Sequence, residues 1–158
     1  MSLPKPKPGI LEISTYVGGN SDIPGDAKFI KLASNEGALG PSPKAIEAYI
    51  QESDKMHRYP DGNSKKLRNA LAVAYGLDPN RIVCGSGSDE LLDLLARAYA
   101  GVGDEVIHTE HGFLMYPISA KGVGATPVAV PEKNLHADVD ALIRQAGQNT
   151  KILFLANP

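Results

Sequence analysis

An α/β fold, built on a largely parallel sheet with helices on both faces and an extended arm ahead of it, is what this sequence predicts. Three observations carry the prediction. Short apolar runs recur at residues 82–84, 105–109, 126–130 and 151–156, each of strand length. Between them lie segments whose apolar residues return with the spacing of one helical face, such as Leu91, Leu92, Leu94, Leu95, Ala98 and Tyr99. Strands that alternate with helices imply right-handed crossovers and parallel pairing. The first 28 residues, rich in proline, glycine and small polar side chains, have few apolar side chains to bury, Ile10, Leu11, Ile13, Tyr16 and Val17 among them. Residues 1–30 are therefore expected to form an arm that needs a surface to lie on, and residues 31–158 one α/β domain.

Taken in order, residues 29–33 read as a short strand broken by Ser34, Asn35, Glu36 and Gly37. Ser42 caps a helix with Pro43 at its first position and Ala45, Ile46, Tyr49 and Ile50 along one side. Residues 57–62 form a loop by their Pro, Asp and Gly content, with Arg58 and Tyr59 just before the turn. Asn63 or Ser64 starts the next helix, whose buried stripe is expected to be Leu67, Ala70, Leu71, Ala74 and Tyr75, and Gly76 stops it. Asp78, Pro79 and Asn80 turn the chain into the first strand of the sheet. After the second strand comes a short helix that Pro117 restricts to a start near Tyr116. Asp138 caps the last helix, which carries Leu142, Ile143 and Ala146.

Composition narrows the function classes. Hydrophobic residues at 42 % and charged residues at 22 % match a globular protein rather than a disordered one. A net charge of −2 gives no ground for a nucleic-acid or membrane-surface partner. The one cysteine, Cys84, cannot form an internal disulfide and reads as a small buried residue. No apolar run approaches the roughly 20 residues that span a bilayer, and the start of the chain has no secretory pattern, so the expected address is the cytoplasm.

Chemistry concentrates between Arg81 and Tyr99. An apolar run, a cluster of glycines and serines at 85–88, and an amphipathic helix follow one another there. A helix that opens on small residues leaves its first N–H groups free at the positive end of its dipole, a ready site for phosphate. The same order also describes an ordinary strand-to-helix corner. Gly85 and Gly87 lack the third glycine of the dinucleotide fingerprint, and neither a Walker sequence nor a nucleophile elbow is present. His108 and His111 have no carboxylate or cysteine at metal spacing and read as loop histidines.

Five motifs in register then resemble one family. K-L-A-S-N-E at 31–36, G-P-S-P at 40–43, R-Y-P-D-G at 58–62, G-S-G-S-D-E-L-L at 85–92 and H-G-F-L-M-Y at 111–116 come in the order and spacing of the fold-type-I pyridoxal-phosphate aminotransferases. The likeness extends from about Tyr16 onward and is greatest to the histidinol-phosphate aminotransferases. It implies the N-terminal part of the large cofactor-binding domain. By the same resemblance Gly87, Ser88 and Asp89 hold the cofactor phosphate through backbone N–H groups. Phe113 stacks on the pyridine ring, where many relatives have tyrosine. Tyr59 reaches a neighbouring subunit's cofactor phosphate in a homodimer, and Tyr16 contacts substrate. Asn35 lies near the substrate entrance without a definite role. Each has a plainer reading: Tyr59 packed under Pro60, Phe113 in the core, Tyr16 packing within the arm.

The implied reaction exchanges an amino group between histidinol phosphate and 2-oxoglutarate, giving imidazole acetol phosphate and glutamate, with pyridoxal 5'-phosphate as cofactor. The family's Schiff-base lysine, its pyridine-nitrogen acid and its ring-contacting asparagine match no position here; Ala156-Asn157-Pro158 resembles only the opening of the asparagine loop. The chain is accordingly expected to be an N-terminal portion, inactive alone and with an uncovered apolar edge. Alternatives are an aromatic aminotransferase, a decarboxylase of a phosphorylated threonine, and a non-catalytic phosphate-binding fragment.

Overall fold

The computed structural model describes residues 4–18, 34, 36–37 and 39–157. The strand expected at 29–33, Asn35 and Pro158 lie outside the described residues. The chain divides into two units, Met1–Thr15 with Asp78–Pro158, and Tyr16–Leu77.

In the larger unit, β1 (Glu105–Thr109), β2 (Thr126–Val130) and β3 (Thr150–Phe154) form a parallel sheet in the order β2-β1-β3. Ile107 pairs with Val128 on one side and Leu153 on the other. Central β1 is covered on both faces, which is why it reads as a continuous run rather than an alternation. Val106, fully buried, packs on one face with Tyr116, Ala120, Ala125 and Phe154. Ile107, also fully buried, packs on the other with Val130 and Leu142. Burial of each of these two side chains is worth roughly 1.5–3 kcal/mol.

Helices α3 (Ser88–Tyr99) and α4 (Met115–Val123) run against the first face, where Leu92, Ala100 and Val123 join the cluster. Helix α5 (Val139–Gln145) covers the second face through Leu142 and Ala141. The expected α/β architecture with helices on both faces is thus present. Helix α4 begins at Met115, one residue ahead of expectation, and Pro117 sits in its first turn, where a missing N–H breaks no helical bond. A short 3-10 turn near the start of the chain, Ile10–Glu12, lies on α4, where Lys121 Nζ donates to the Glu12 carbonyl at 3.1 Å.

Residues 82–84 correct one expectation. They follow a 3-10 turn, Pro79–Arg81, and Ile82 is extended, yet they belong to no strand among the described residues and Val83 is exposed. Apolar β-branched residues favour extension, but a strand exists only where a neighbour offers its N–H and C=O groups.

The smaller unit holds α1 (Pro43–Glu52) and α2 (Lys65–Tyr75). Ser42 caps α1 as expected, its Oγ accepting from the Ala45 N–H at 3.2 Å. The expected buried stripe of α2 is not buried: Leu67, Ala70, Ala74 and Tyr75 are exposed, and only Ala72 is enclosed. An amphipathic pattern says which face can be covered, whereas burial needs an opposing element in place. Ser64 precedes α2 with a left-handed backbone and no capping bond. Asp61 does that work, its carboxylate accepting the N–H groups of Lys65 at 2.9 Å and Asn63 at 3.0 Å. Those bonds, from Lys65 first and Asn63 second, hold its carboxyl below the ordinary range.

Candidate functional site at the start of α3

The connection from α3 to β1 is short, residues 100–104, so α3 returns antiparallel to the strands. A helix of twelve residues is about 18 Å long, which carries its N-terminus back toward the carboxyl edge of the sheet. That edge is where open parallel sheets bind ligands.

Gly87 enters α3 with φ 88° and ψ 179°, a conformation essentially confined to glycine. A side chain there would meet nothing within 4 Å, so the space over the corner is open. The Ser86 N–H is taken by the Glu90 carboxylate, which folds back from the first turn. The N–H groups of Gly87, Ser88 and Asp89 have no hydrogen-bond partner among the described residues. Ser88 Oγ lies 3.4 Å from Asp89 Oδ1. Three adjacent donors at the positive end of a helix, under open space, suit a phosphate dianion.

Phe113 stands in the loop after β1, at the carboxyl edge. It is 36 % exposed, so it is not a core residue. One edge of it meets Tyr116 at 87° and 5.9 Å, and Tyr116 in turn stacks on Phe154 at 4.8 Å and 16°. An aromatic ring braced on one side and open on another can cover a planar heterocycle. The donors of α3 and this ring, both in the larger unit, fit pyridoxal phosphate in kind: a cradle for the anion and a flat apolar surface for the ring.

Tyr59 and Tyr16 belong to the smaller unit. Tyr59 is 97 % exposed, on the rim of an open depression of about 790 Å³ with Arg58, Met56 and Leu67; it does not pack beneath Pro60. Tyr16 is half exposed.

Three contributors were not legible beforehand. Glu90 stands in the sequence only as a member of the motif at 85–92, Asp61 only as a turn residue, and Glu132 carries no local signal. The Glu132 carboxylate accepts from the His111 N–H at 3.2 Å and faces its Nδ1 at 3.1 Å. The two residues are 21 positions apart, and only the pairing of β1 with β2 brings them together. His108 is buried with Nδ1 2.8 Å from the Thr109 carbonyl. Among the described residues no cluster of metal-ligating side chains occurs, and no helix is long and apolar enough to cross a membrane.

The model of aminotransferase class I and II matches residues 27–158. Over the whole chain, identity is 60 % to the histidinol-phosphate aminotransferase of Paramagnetospirillum magneticum and 56 % to that of Rhodospirillum centenum. The chain spans 44 % of the length of each of these relatives. The crystal structure of histidinol-phosphate aminotransferase from Sinorhizobium meliloti in complex with pyridoxal-5'-phosphate superposes with a TM-score of 0.76 at 29 % identity, covering 79 % of this chain and 34 % of that one. A parallel sheet, a phosphate-ready corner at its carboxyl edge and a family match across most of the sequence agree: the chain belongs to the class I and II aminotransferases.

Proposed function

We propose that the protein containing this chain transfers an amino group from histidinol phosphate to 2-oxoglutarate, yielding imidazole acetol phosphate and glutamate, as a cytoplasmic homodimer that uses pyridoxal 5'-phosphate. The observation that carries this reading is the run of three unpartnered N–H groups at Gly87, Ser88 and Asp89. It sits in a chain at least 56 % identical, end to end, to two proteins named for that reaction.

When bound, the cofactor supplies a carrier for the amino group and a sink for the electron pair left on the substrate carbon. The residues of this chain anchor it. The N–H groups of Gly87, Ser88 and Asp89 and the dipole of α3 hold the phosphate, fixing one end of the cofactor. Phe113 would cover one face of the heterocycle and keep water from it. The full exposure of Tyr59 suits a side chain offered to the phosphate site of a second copy. Tyr16 contacts substrate from the arm. No lysine of this chain is assigned the covalent link to the cofactor.

The test is amino transfer by the full-length protein, with histidinol phosphate, phenylalanine and a phosphorylated threonine compared as substrates. The expected kcat/KM is highest for histidinol phosphate. A preference for phenylalanine, or release of carbon dioxide from the phosphorylated threonine, overturns the assignment.

A further inference from the structure

The loop between β1 and α4 carries Phe113, and its backbone is tied at three points. The Glu110 N–H donates to the Val130 carbonyl at 2.9 Å, and the Gly112 N–H to the Thr109 carbonyl at 3.0 Å. The third tie is the Glu132 carboxylate on His111, one residue before the glycine that precedes Phe113. The turn is tight: a Cβ on Gly112 would come within 3.0 Å of the Thr109 carbonyl and 3.3 Å of the Tyr116 ring.

The Glu132 side chain is only 9 % exposed. A carboxylate gives up that much water only against donors that replace it. Desolvation pulls its pKa up, but the bonds from the His111 N–H, the Thr109 hydroxyl and the His111 ring outweigh it and leave the carboxyl below its ordinary value. All of these donors belong to the end of β1 or the loop beyond it, so this one side chain gathers the whole turn.

We propose that Glu132 is a positioning residue for Phe113: by clamping the turn at Thr109 and His111 from just beyond β2, it sets where the ring stands over the cofactor. This rests on the reading of Phe113 as the aromatic cover. In this role Glu132 acts through the turn it holds at Thr109 and His111. Loss of the clamp frees the turn and leaves the α3 corner as it is.

The experiment uses the full-length protein with E132A, E132Q, E132D and F113A. Amide hydrogen exchange of the cofactor-free protein is followed over residues 109–114 and, as control, over residues 85–91. Pyridoxal phosphate affinity and circular dichroism in its visible absorption band are then measured. In E132A, exchange at 109–114 is expected to rise about tenfold or more, with no change at 85–91. Its Kd for the cofactor should rise as in F113A, and the visible dichroism should change. E132Q keeps an oxygen that accepts the His111 N–H and recovers most of each effect. E132D keeps the charge but is one methylene short, and shifts every readout in the direction of E132A.

Unchanged exchange at 109–114 in both E132A and E132D overturns the clamp while leaving the cover intact. Faster exchange with unchanged affinity and dichroism overturns the positioning role. Unchanged affinity in F113A overturns the cover itself, and with it the role given to Glu132.

Discussion

Tyr116 stacks on Phe154 with ring centroids 4.8 Å apart and planes 16° from parallel, so the first turn of α4 is fastened to the last residue of β3. Phe113 leans edge-on against the same tyrosine. The ring proposed to cover the cofactor is therefore braced by a residue 41 positions later in the chain, through one intermediary.

Removing that brace is expected to be costly. Phe154→Ala deletes a side chain that is only 7 % exposed and should destabilise the protein by about 3–5 kcal/mol. Chemical denaturation measures it, and a loss below about 1 kcal/mol would show that the stack contributes little.

Ser88→Pro isolates one donor of the phosphate corner. Ser88 is the first residue of α3, a position where proline is tolerated because its N–H has no helical partner. The helix should survive, and far-ultraviolet dichroism checks that. Affinity for pyridoxal phosphate should fall about tenfold or more, the worth of a bond to a charged group. Equal affinity would place the phosphate elsewhere.

Ser119 is 2 % exposed in α4, and its Oγ has no partner among the described residues. An unpaired buried hydroxyl loses its water without compensation. Ser119→Ala should therefore raise stability by roughly 1 kcal/mol, read as a shift of the denaturation midpoint. A lower midpoint would mean that the hydroxyl has a partner in the complete protein.

Asp138 caps α5 through the Ala141 N–H at 3.1 Å and pairs with Lys133 at 2.6 Å. The bond from Lys133 first, and the one from Ala141 second, hold its carboxyl below the ordinary range. Because the folded value is the lower one, the contribution is complete above the unfolded value of about 3.9 and is lost as pH falls through the folded value. Asp138→Asn keeps the capping oxygen and removes the charge. The variant should lose less stability than the parent as pH falls below the unfolded value of about 3.9; identical acid profiles would assign the cap no charge dependence.

Sequence alone determined the elements whose causes are local. Ser42 before Pro43, Gly76 after Tyr75 and Asp138 before Val139 each satisfy or release backbone groups within a few residues, so the ends they mark were legible. The open corner at Gly87 was legible for the same reason, since three free N–H groups follow from a helix that starts on small residues. Tertiary structure decided what depends on partners distant in the chain. Among the described residues, 82–84 have strand character but no strand partner, and the apolar side chains of α2 have a face but little cover. His111 meets Glu132 only because β1 and β2 lie side by side in parallel, and Tyr116 meets Phe154 only because α4 packs over the sheet. Capping and helix dipoles act over one turn, whereas packing and register are properties of surfaces that exist only once the chain has folded.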